Sequence, residues 1–270
     1  MRQNEQVAIV TGATAGIGLA SAKALRQAGF RVFGTSRRAA SNGAEGVTML
    51  ACDVTDDASV KETVGQVLEA AGRIDVLVNN AGSGLMGGAE ESSIAQAKAL
   101  FDVNLFGVIR MSNAVLPAMR ARQAGRIINL SSILGLIPAP FAALYASTKH
   151  AIEGYSESLD HEVRAFGVRV CLLEPGYTRT AFEQNMVLAD RPLDAYAAAR
   201  AQALAGLQRE MTTAEGPDVV AARVVEAATT TSPRHRYTCG KVAGRVSILR
   251  RFVPERMFDK SLRKQMGLPA

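Results

Sequence analysis

Short apolar runs alternate along the first two thirds of the chain with longer stretches whose apolar positions return every three or four residues. Positions 7–10, 31–35, 47–51, 76–79, 126–130 and 168–173 read as strands; 17–28, 57–71, 93–122 (with a break near Asn104) and 145–166 read as helices. Near-continuous apolar strands separated by amphipathic helices need a sheet covered on both faces. The pattern therefore predicts an α/β domain, a single doubly wound parallel sheet with right-handed crossovers. Ligands on such sheets bind beyond the carboxyl ends of the strands, so the residues following each strand carry the chemistry. After Pro175 the alternation stops, and 178–230, rich in Ala, Leu and Met, reads as a helical substrate lid. No repeat or linker marks a boundary, and 1–270 is expected to be one domain with 241–270 as a C-terminal extension.

The stretch 127–148 has 22 residues without a charge, long enough to suggest a membrane span. It also holds Asn129, Ser131, Ser132, Pro138, Pro140 and Tyr145, a density of prolines and hydroxyls that suits a strand, a loop and a helix start. With 48% hydrophobic and 21% charged residues, the 270-residue composition excludes disorder and leaves ample material for a core. The first residues lack the basic segment and apolar run of an export signal, so a cytoplasmic setting is expected. Cys52, Cys171 and Cys239 share no CxxC spacing, and His150, His161 and His235 have no ligand-like spacing; neither a disulfide framework nor a metal site is expected.

Directly after the first strand stands Thr11-Gly12-Ala13-Thr14-Ala15-Gly16-Ile17-Gly18, opening into a helix. Gly12 permits a tight turn, and Gly16 and Gly18 let a pyrophosphate approach amides at the positive end of the helix. TGxxxGxG differs from the common GxGxxG and resembles the short-chain dehydrogenase/reductase family, whose other motifs follow in order from Val7 to Thr180. Asn79-Asn80-Ala81-Gly82 matches the family's NNAG, and Asp53 the acidic residue at the adenine end of the cofactor. Asn104 matches an active-site helix asparagine, Ser132 and Tyr145-x-x-x-Lys149 the serine and YxxxK, and Pro175-Gly176 with Thr180 the loop beside the nicotinamide. The resemblance implies a Rossmann-type fold and a dinucleotide held by Gly12, Thr14, Gly16, Ile17, Gly18, Ser36, Arg37, Arg38, Asp53, Val54, Asn80, Ala81, Gly82, Tyr145, Lys149, Pro175, Gly176, Thr178 and Thr180.

The end of the second strand, Gly34-Thr35-Ser36-Arg37-Arg38, offers no carboxylate to the adenosine ribose and does offer a guanidinium able to bind phosphate through two hydrogen bonds. NADP(H) is therefore expected over NAD, although Ala15 stands where many NADP-dependent relatives carry a basic residue. Tyr145 and Lys149 are four apart and share a helix face. A nearby ammonium lowers a phenol's pKa from about 10 and so suits Tyr145 to proton exchange with a substrate oxygen. By the resemblance, Lys149 also holds the nicotinamide ribose, Ser132 binds the substrate oxygen, and Asn104 supports a water-mediated proton path. Residue chemistry does not choose between Ser131 and Ser132; the family's serine-to-tyrosine spacing favours Ser132.

Around these groups lie Leu85, Met86, Ile133, Leu134, Leu136, Ile137, Tyr177, Phe182, Met186, Val187 and Leu188, about half of them expected to fill core rather than pocket. Such walls suit an apolar carbonyl or alcohol of steroid, retinoid, terpenoid or fatty-chain type. From 241 to 264 there are eight basic and two acidic residues, interleaved with Val246, Ile248, Leu249, Phe252, Met257 and Leu262 and split by Pro254. The preferred reading packs their apolar side on the domain and leaves the charges solvated; docking on an anionic membrane is the second reading. No motif supports nucleic-acid binding. An oxidoreductase, either NADP- or NAD-dependent, is thus weighed against a non-catalytic dinucleotide sensor, with a homodimer or homotetramer expected from the resemblance.

Overall fold

A computed structural model describes residues 5–38, 44–182 and 185–265. Strands β1 (Val7–Thr11), β2 (Arg31–Ser36), β3 (Val47–Ala51), β4 (Val76–Asn79), β6 (Gly125–Leu130), β7 (Val168–Pro175) and β9 (Arg236–Cys239) form a parallel sheet in the order β3-β2-β1-β4-β6-β7-β9. The order reverses between β1 and β4, which opens a crevice above the ends of those two strands. β1 and β4 are buried at every position, as a central parallel strand requires. The seventh strand escapes the hydropathy pattern because it is a short edge strand covered on one side: only Tyr237 and Cys239 are buried. A second ladder pairs β5 (Leu85–Met86) with β8 (Val187–Leu188), each too short to carry a periodic signal.

Helices α1 (Gly16–Gln27), α2 (Asp57–Ala71), α3 (Ile94–Phe101), α4 (Gly107–Ala121), α5 (Ala143–Val163), α6 (Ala197–Thr212), α7 (Asp218–Thr229), α8 (Lys241–Phe252) and α9 (Glu255–Gln265) complete the fold. One face of the sheet is covered by α2, α4 and α5 through Val60, Val64, Met111, Val115, Leu159 and Val163. The other carries α1 and α7, where Ala22, Leu25, Val220 and Val224 meet Val10, Ile128 and Leu173. The segment 178–230 therefore divides: α6 roofs the crevice, whereas α7 belongs to the core layer, each buried valine contributing about 1.5–3 kcal/mol. Residues 183–184 of that segment and 266–270 of the C-terminal extension lie outside the described residues.

The run 93–122 does not break at Asn104. A π turn, Asp102–Phe106, joins α3 to α4, with the Gly107 N–H donating to the Asp102 carbonyl five residues back. The whole helix Ile94–Ala121 is long and apolar enough to cross a membrane by length and composition, yet it buries Asn104 and Ser112 against the domain. The uncharged stretch 127–148 becomes most of β6, a loop with a short 3-10 turn, and the first turns of α5.

Two polar devices fix α5 to the sheet. Under the crevice, Asn79 donates to Asn129 (2.9 Å) and Ser112 (3.3 Å), and Asn129 donates to Ser156 of α5 (2.8 Å), all four fully or nearly fully buried. At its far end Asp160, fully buried, accepts from the Val170 N–H (2.7 Å), from Arg169 (2.9 Å) and from Arg164. Burial pushes this carboxyl up, and the Arg169, Arg164 and Val170 bonds outweigh it, holding the group at about 2. Asp160→Ala is expected to lower stability by about 2–3 kcal/mol, because the Val170 N–H and two guanidinium groups lose their partner. Its carboxylate contributes stability above the unfolded value of 3.8 that is lost as pH falls toward about 2, so the variant's urea midpoint should be less acid-sensitive than the wild type's over that window. Equal midpoints at neutral pH would contradict this.

Candidate active site

The crevice at the switch point starts from Thr11. Its Oγ1 accepts the N–H groups of Asn80 and Ala81 (2.9 Å each), while Asn80 Nδ2 donates to the carbonyls of Thr11 (2.9 Å) and Gly12 (3.1 Å). Asn80 thus clamps the glycine turn to the end of β4. Gly12 takes φ +67°, and a Cβ on Gly18 would stand 2.2 Å from the Gly12 carbonyl oxygen. Gly18 therefore serves the internal packing of the turn, and the approach to a ligand is left to Gly12 and Gly16, which line the cavity with Ile17. The first turn of α1 has no side-chain cap and no acidic residue, so its amides are available to an anion. This cradle fits a pyrophosphate.

Three of the side chains expected to react, Ser132, Tyr145 and Lys149, converge on the same cavity, of about 430 Å³. Tyr145 and Lys149 project from α5, and Ser132, at the end of β6, hydrogen-bonds to Tyr145. Ser131 also lines the cavity; its Oγ lies where a Cβ on Gly135 would meet it at 2.6 Å and has no hydrogen-bond partner. Asn104, 1% exposed, spends its side chain on the protein, accepting from the Ser83 N–H (2.8 Å) and donating to the Ser83 carbonyl (2.9 Å) and Thr148 Oγ1 (3.2 Å). Thr148 in turn donates to the Tyr145 carbonyl (2.7 Å). Asn104 therefore ties the loop after β4 to the turn that carries Tyr145; it does not line the cavity.

Burial dominates the electrostatics. It pushes the Tyr145 phenol up to about 12, against the Ser132 hydrogen bond, and brings the Lys149 ammonium down to about 8, against the attraction of Glu153. The expected lowering of the phenol by Lys149 is absent from this arrangement. The ammonium donates to the Leu130 carbonyl (2.8 Å), 5.6 Å from the Tyr145 ring centre, and is itself desolvated. Glu153 follows Lys149 by one turn of α5 and pairs with Arg236 (3.0 Å), which also reaches Glu174 on β7 (3.3 Å). Burial and the Glu153 carboxylate push Glu174 up to about 7.

Above Tyr145 the walls are apolar. Leu85, Met86, Ile133, Leu134, Ile137, Tyr177, Phe182 and Met186 line the cavity, with the Phe182 ring 6.0 Å from that of Tyr145. Leu136 does not line it, and Val187 and Leu188 are exposed. The strap around β8 is tied down: Ser93 donates its N–H and hydroxyl to Asp190 (2.7 and 2.5 Å), and fully buried Glu91 accepts from Gly88, Leu193 and Arg200.

Residues 6–191 match the short chain dehydrogenase family model. The chain belongs to the short-chain dehydrogenase/reductase family. It is 43% identical over 180 residues to the 3-ketodihydrosphingosine reductase of Bacteroides thetaiotaomicron, covering 67% of this chain and 66% of that enzyme. Its structure resembles a short-chain dehydrogenase from Streptomyces avermitilis (TM-score 0.85, 31% identity, 99% of each chain). It also resembles a metagenomic short-chain oxidoreductase in complex with NADP (0.68, 31%, 87% and 96%) and a Burkholderia phymatum short-chain dehydrogenase/reductase in complex with NAD (0.80, 26%, 97% and 96%). The protein is an oxidoreductase of this family that takes a nicotinamide dinucleotide and a small-molecule substrate.

In this family member the cavity gathers Gly12, Gly16, Ile17, Asn80, Ala81, Gly82, Ser132, Tyr145, Lys149, Pro175, Gly176, Thr178 and Thr180. Thr14, Ser36, Arg37, Arg38, Asp53 and Val54 stand outside its lining. Arg37 and Arg38 are exposed at the end of β2, and Ser36 donates to the Arg38 carbonyl. Asp53 accepts from the Thr55 N–H (2.9 Å) and hydroxyl (2.7 Å), bonds that hold it below the usual carboxylate range with help from Arg37. Val54 packs where a Cβ on Gly107 would reach it at 2.8 Å and so seats the start of α4. Motif reading missed the clamp by Thr11, the Glu153–Arg236–Glu174 group, and the wall residues Leu207, Met211, Val242, Val246 and Leu262. Only Glu153 had a signal, its place four residues after Lys149. Among the described residues no group of His, Cys, Asp or Glu assembles for a metal, and burial pushes all three thiols up.

Gly18→Ala forces the turn to move against the Gly12 carbonyl, an overpacking of about 1–3 kcal/mol. Dinucleotide affinity, read by the fluorescence of the reduced cofactor, should fall roughly ten- to a hundred-fold while the thermal midpoint shows the variant folded. Unchanged affinity would dissociate the turn from cofactor binding.

Proposed function

We propose that the protein is an NADP(H)-dependent oxidoreductase that interconverts a carbonyl and an alcohol on an apolar, chain-like substrate. The observation that carries this reading is the wall above the Ser132–Tyr145 pair, where Met86, Ile137, Phe182, Met186, Leu207 and Met211 surround the reacting groups. Similarity to a reductase of 3-ketodihydrosphingosine, a ketone on a long alkyl chain, supports a fatty-chain ketone over the steroid, retinoid and terpenoid alternatives.

The dinucleotide, when bound, supplies or accepts the hydride. In reduction Ser132 Oγ and Tyr145 Oη donate hydrogen bonds to the carbonyl oxygen, and Tyr145 passes its proton to that oxygen as charge develops. The Lys149 ammonium, bound to the Leu130 carbonyl, is placed to hold the nicotinamide ribose of the dinucleotide. The phenol, held up at about 12, keeps its proton across the neutral range. Reductive turnover should therefore stay level with pH until Lys149 loses its proton near pH 8, a bend that a pH profile of kcat/KM would register.

Tyr145→Phe is expected to lower turnover about 10²- to 10⁴-fold, the range for a positioned proton donor, with cofactor affinity kept. A panel of apolar ketones and alcohols, none consumed by the wild type despite tight cofactor binding, would favour the sensor reading. The NADP preference is supported by Arg37 and Arg38 and by the lack of a carboxylate in 34–38; Ala15 favours the NAD alternative. Arg37→Ala should weaken NADPH roughly ten- to a hundred-fold, since hydrogen bonds to charged groups contribute about 1.5–3 kcal/mol, and should leave NADH unchanged. An unaltered NADPH to NADH ratio in Arg37→Ala and in the Arg37→Ala/Arg38→Ala pair would return the choice to NAD. Exposed Ile94 and Phe106 on α3 and the π turn support self-association through this helix, which light scattering at micromolar concentration reads directly.

A further inference from the structure

The apolar side of the C-terminal segment does not all pack on the domain. On α8, Ala243 is fully buried and Val246 lines the cavity, as does Leu262 of α9, but Ile248 (61% exposed), Leu249, Phe252 (74% exposed) and Met257 face outward. Arg245, Ile248, Leu249 and Phe252 follow an i, i+3, i+4, i+7 pattern and share one face of α8. Arg250, Arg251, Arg256 and Lys260 are exposed around them, Arg251 stacking on Phe252 and Arg250 on Phe258. The segment 241–264 has a net charge of +6.

We propose that α8 and α9 form a monotopic docking surface for an anionic lipid bilayer, with the substrate cavity opening behind it. The charge and the apolar face decide the occupant together. A nucleic acid would take the cations and leave Ile248, Leu249 and Met257 in water. A second copy seated on the same face would bury those side chains and set +6 against +6. An anionic lipid surface takes both: headgroups meet the arginines while the apolar side chains enter the acyl boundary. Helices of 12 and 11 residues are too short to span a bilayer, which needs about 20, so they lie in its surface. Because Val242, Val246 and Leu262 on these helices line the cavity, docking brings the cavity wall to the lipid interface. The inference stands on this surface alone and holds whichever carbonyl the site turns over.

The test is sedimentation of the full chain with vesicles of phosphatidylcholine alone and of phosphatidylcholine with phosphatidylglycerol. Binding is expected only to the anionic vesicles and should weaken with added salt. Ile248→Ser/Phe252→Ser should weaken it roughly ten-fold or more, and Arg245→Gln/Arg256→Gln roughly twenty-fold. Both pairs are exposed, and an unchanged thermal midpoint and circular dichroism spectrum show that they fold. The proposal would be overturned by wild type left in the supernatant with anionic vesicles at low salt, by vesicle binding that neither double variant reduces, or by tighter binding to a DNA duplex that Ile248→Ser/Phe252→Ser leaves intact. Self-association without lipid that the serine pair abolishes would assign the face to a second copy, and would also overturn it.

Discussion

The architecture of the site depends on how β1 and β4 are joined where the strand order reverses. Past β1 the ladder continues toward β2, with the Ala13 N–H donating to the Thr35 carbonyl (3.0 Å), and the glycine turn has little side-chain matter of its own. Thr11 and Asn80 supply the joint, each accepting from or donating to the other's backbone over short distances. The clamp fills the space under the turn so completely that position 18 has no room for a Cβ. The amides of α1 are aimed by this turn and not by any side-chain cap of their own, which leaves them available to an anion.

A second constraint is the burial of Lys149. Placing an ammonium in a site that pulls its pKa down from 10.5 to about 8 is unfavourable, and the disadvantage is fully present below about pH 8 and fades as pH rises from there to 10.5. Leu130 and Glu153 offset part of it, and Arg236 keeps the Glu153 and Glu174 carboxyl groups together one layer deeper. Lys149 is thus the outermost member of an alternating stack of charges reaching from the cavity through α5 to the edge strand β9. The edge strand, invisible to hydropathy, supplies the arginine that completes it.

The sheet was legible in the chain because parallel strands are apolar on both faces, and the site because its motifs sit at the ends of those strands. What stayed hidden has a common physical cause: it depends on pairs far apart in sequence. Leu207, Val242 and Leu262 become wall residues only when α6, α8 and α9 fold over the crevice, and nothing local marks them. Alanine-rich composition likewise does not separate α7, which meets α1, from α6, which meets the cavity. Asn104 was found by its motif, yet its bonds to Ser83 and Thr148 show a tie between loop and helix that no motif describes.

The π turn around Asn104 has a geometric consequence of its own. An α-helix advances about 100° per residue, so one surplus residue in a turn rotates everything after it by that amount. The helix from Ile94 to Ala121 is therefore two amphipathic patterns spliced out of phase: α3 turns Leu100 inward and Ile94 outward, and α4 restarts with Met111, Val115 and Met119 against the sheet. A hydropathy scan registers such a splice as an interruption, although the rod is continuous. Removing one residue between 102 and 106 would bring the two patterns into step and swing the asparagine off the axis joining Ser83 to Thr148, a deletion felt as rotation and not as shortening.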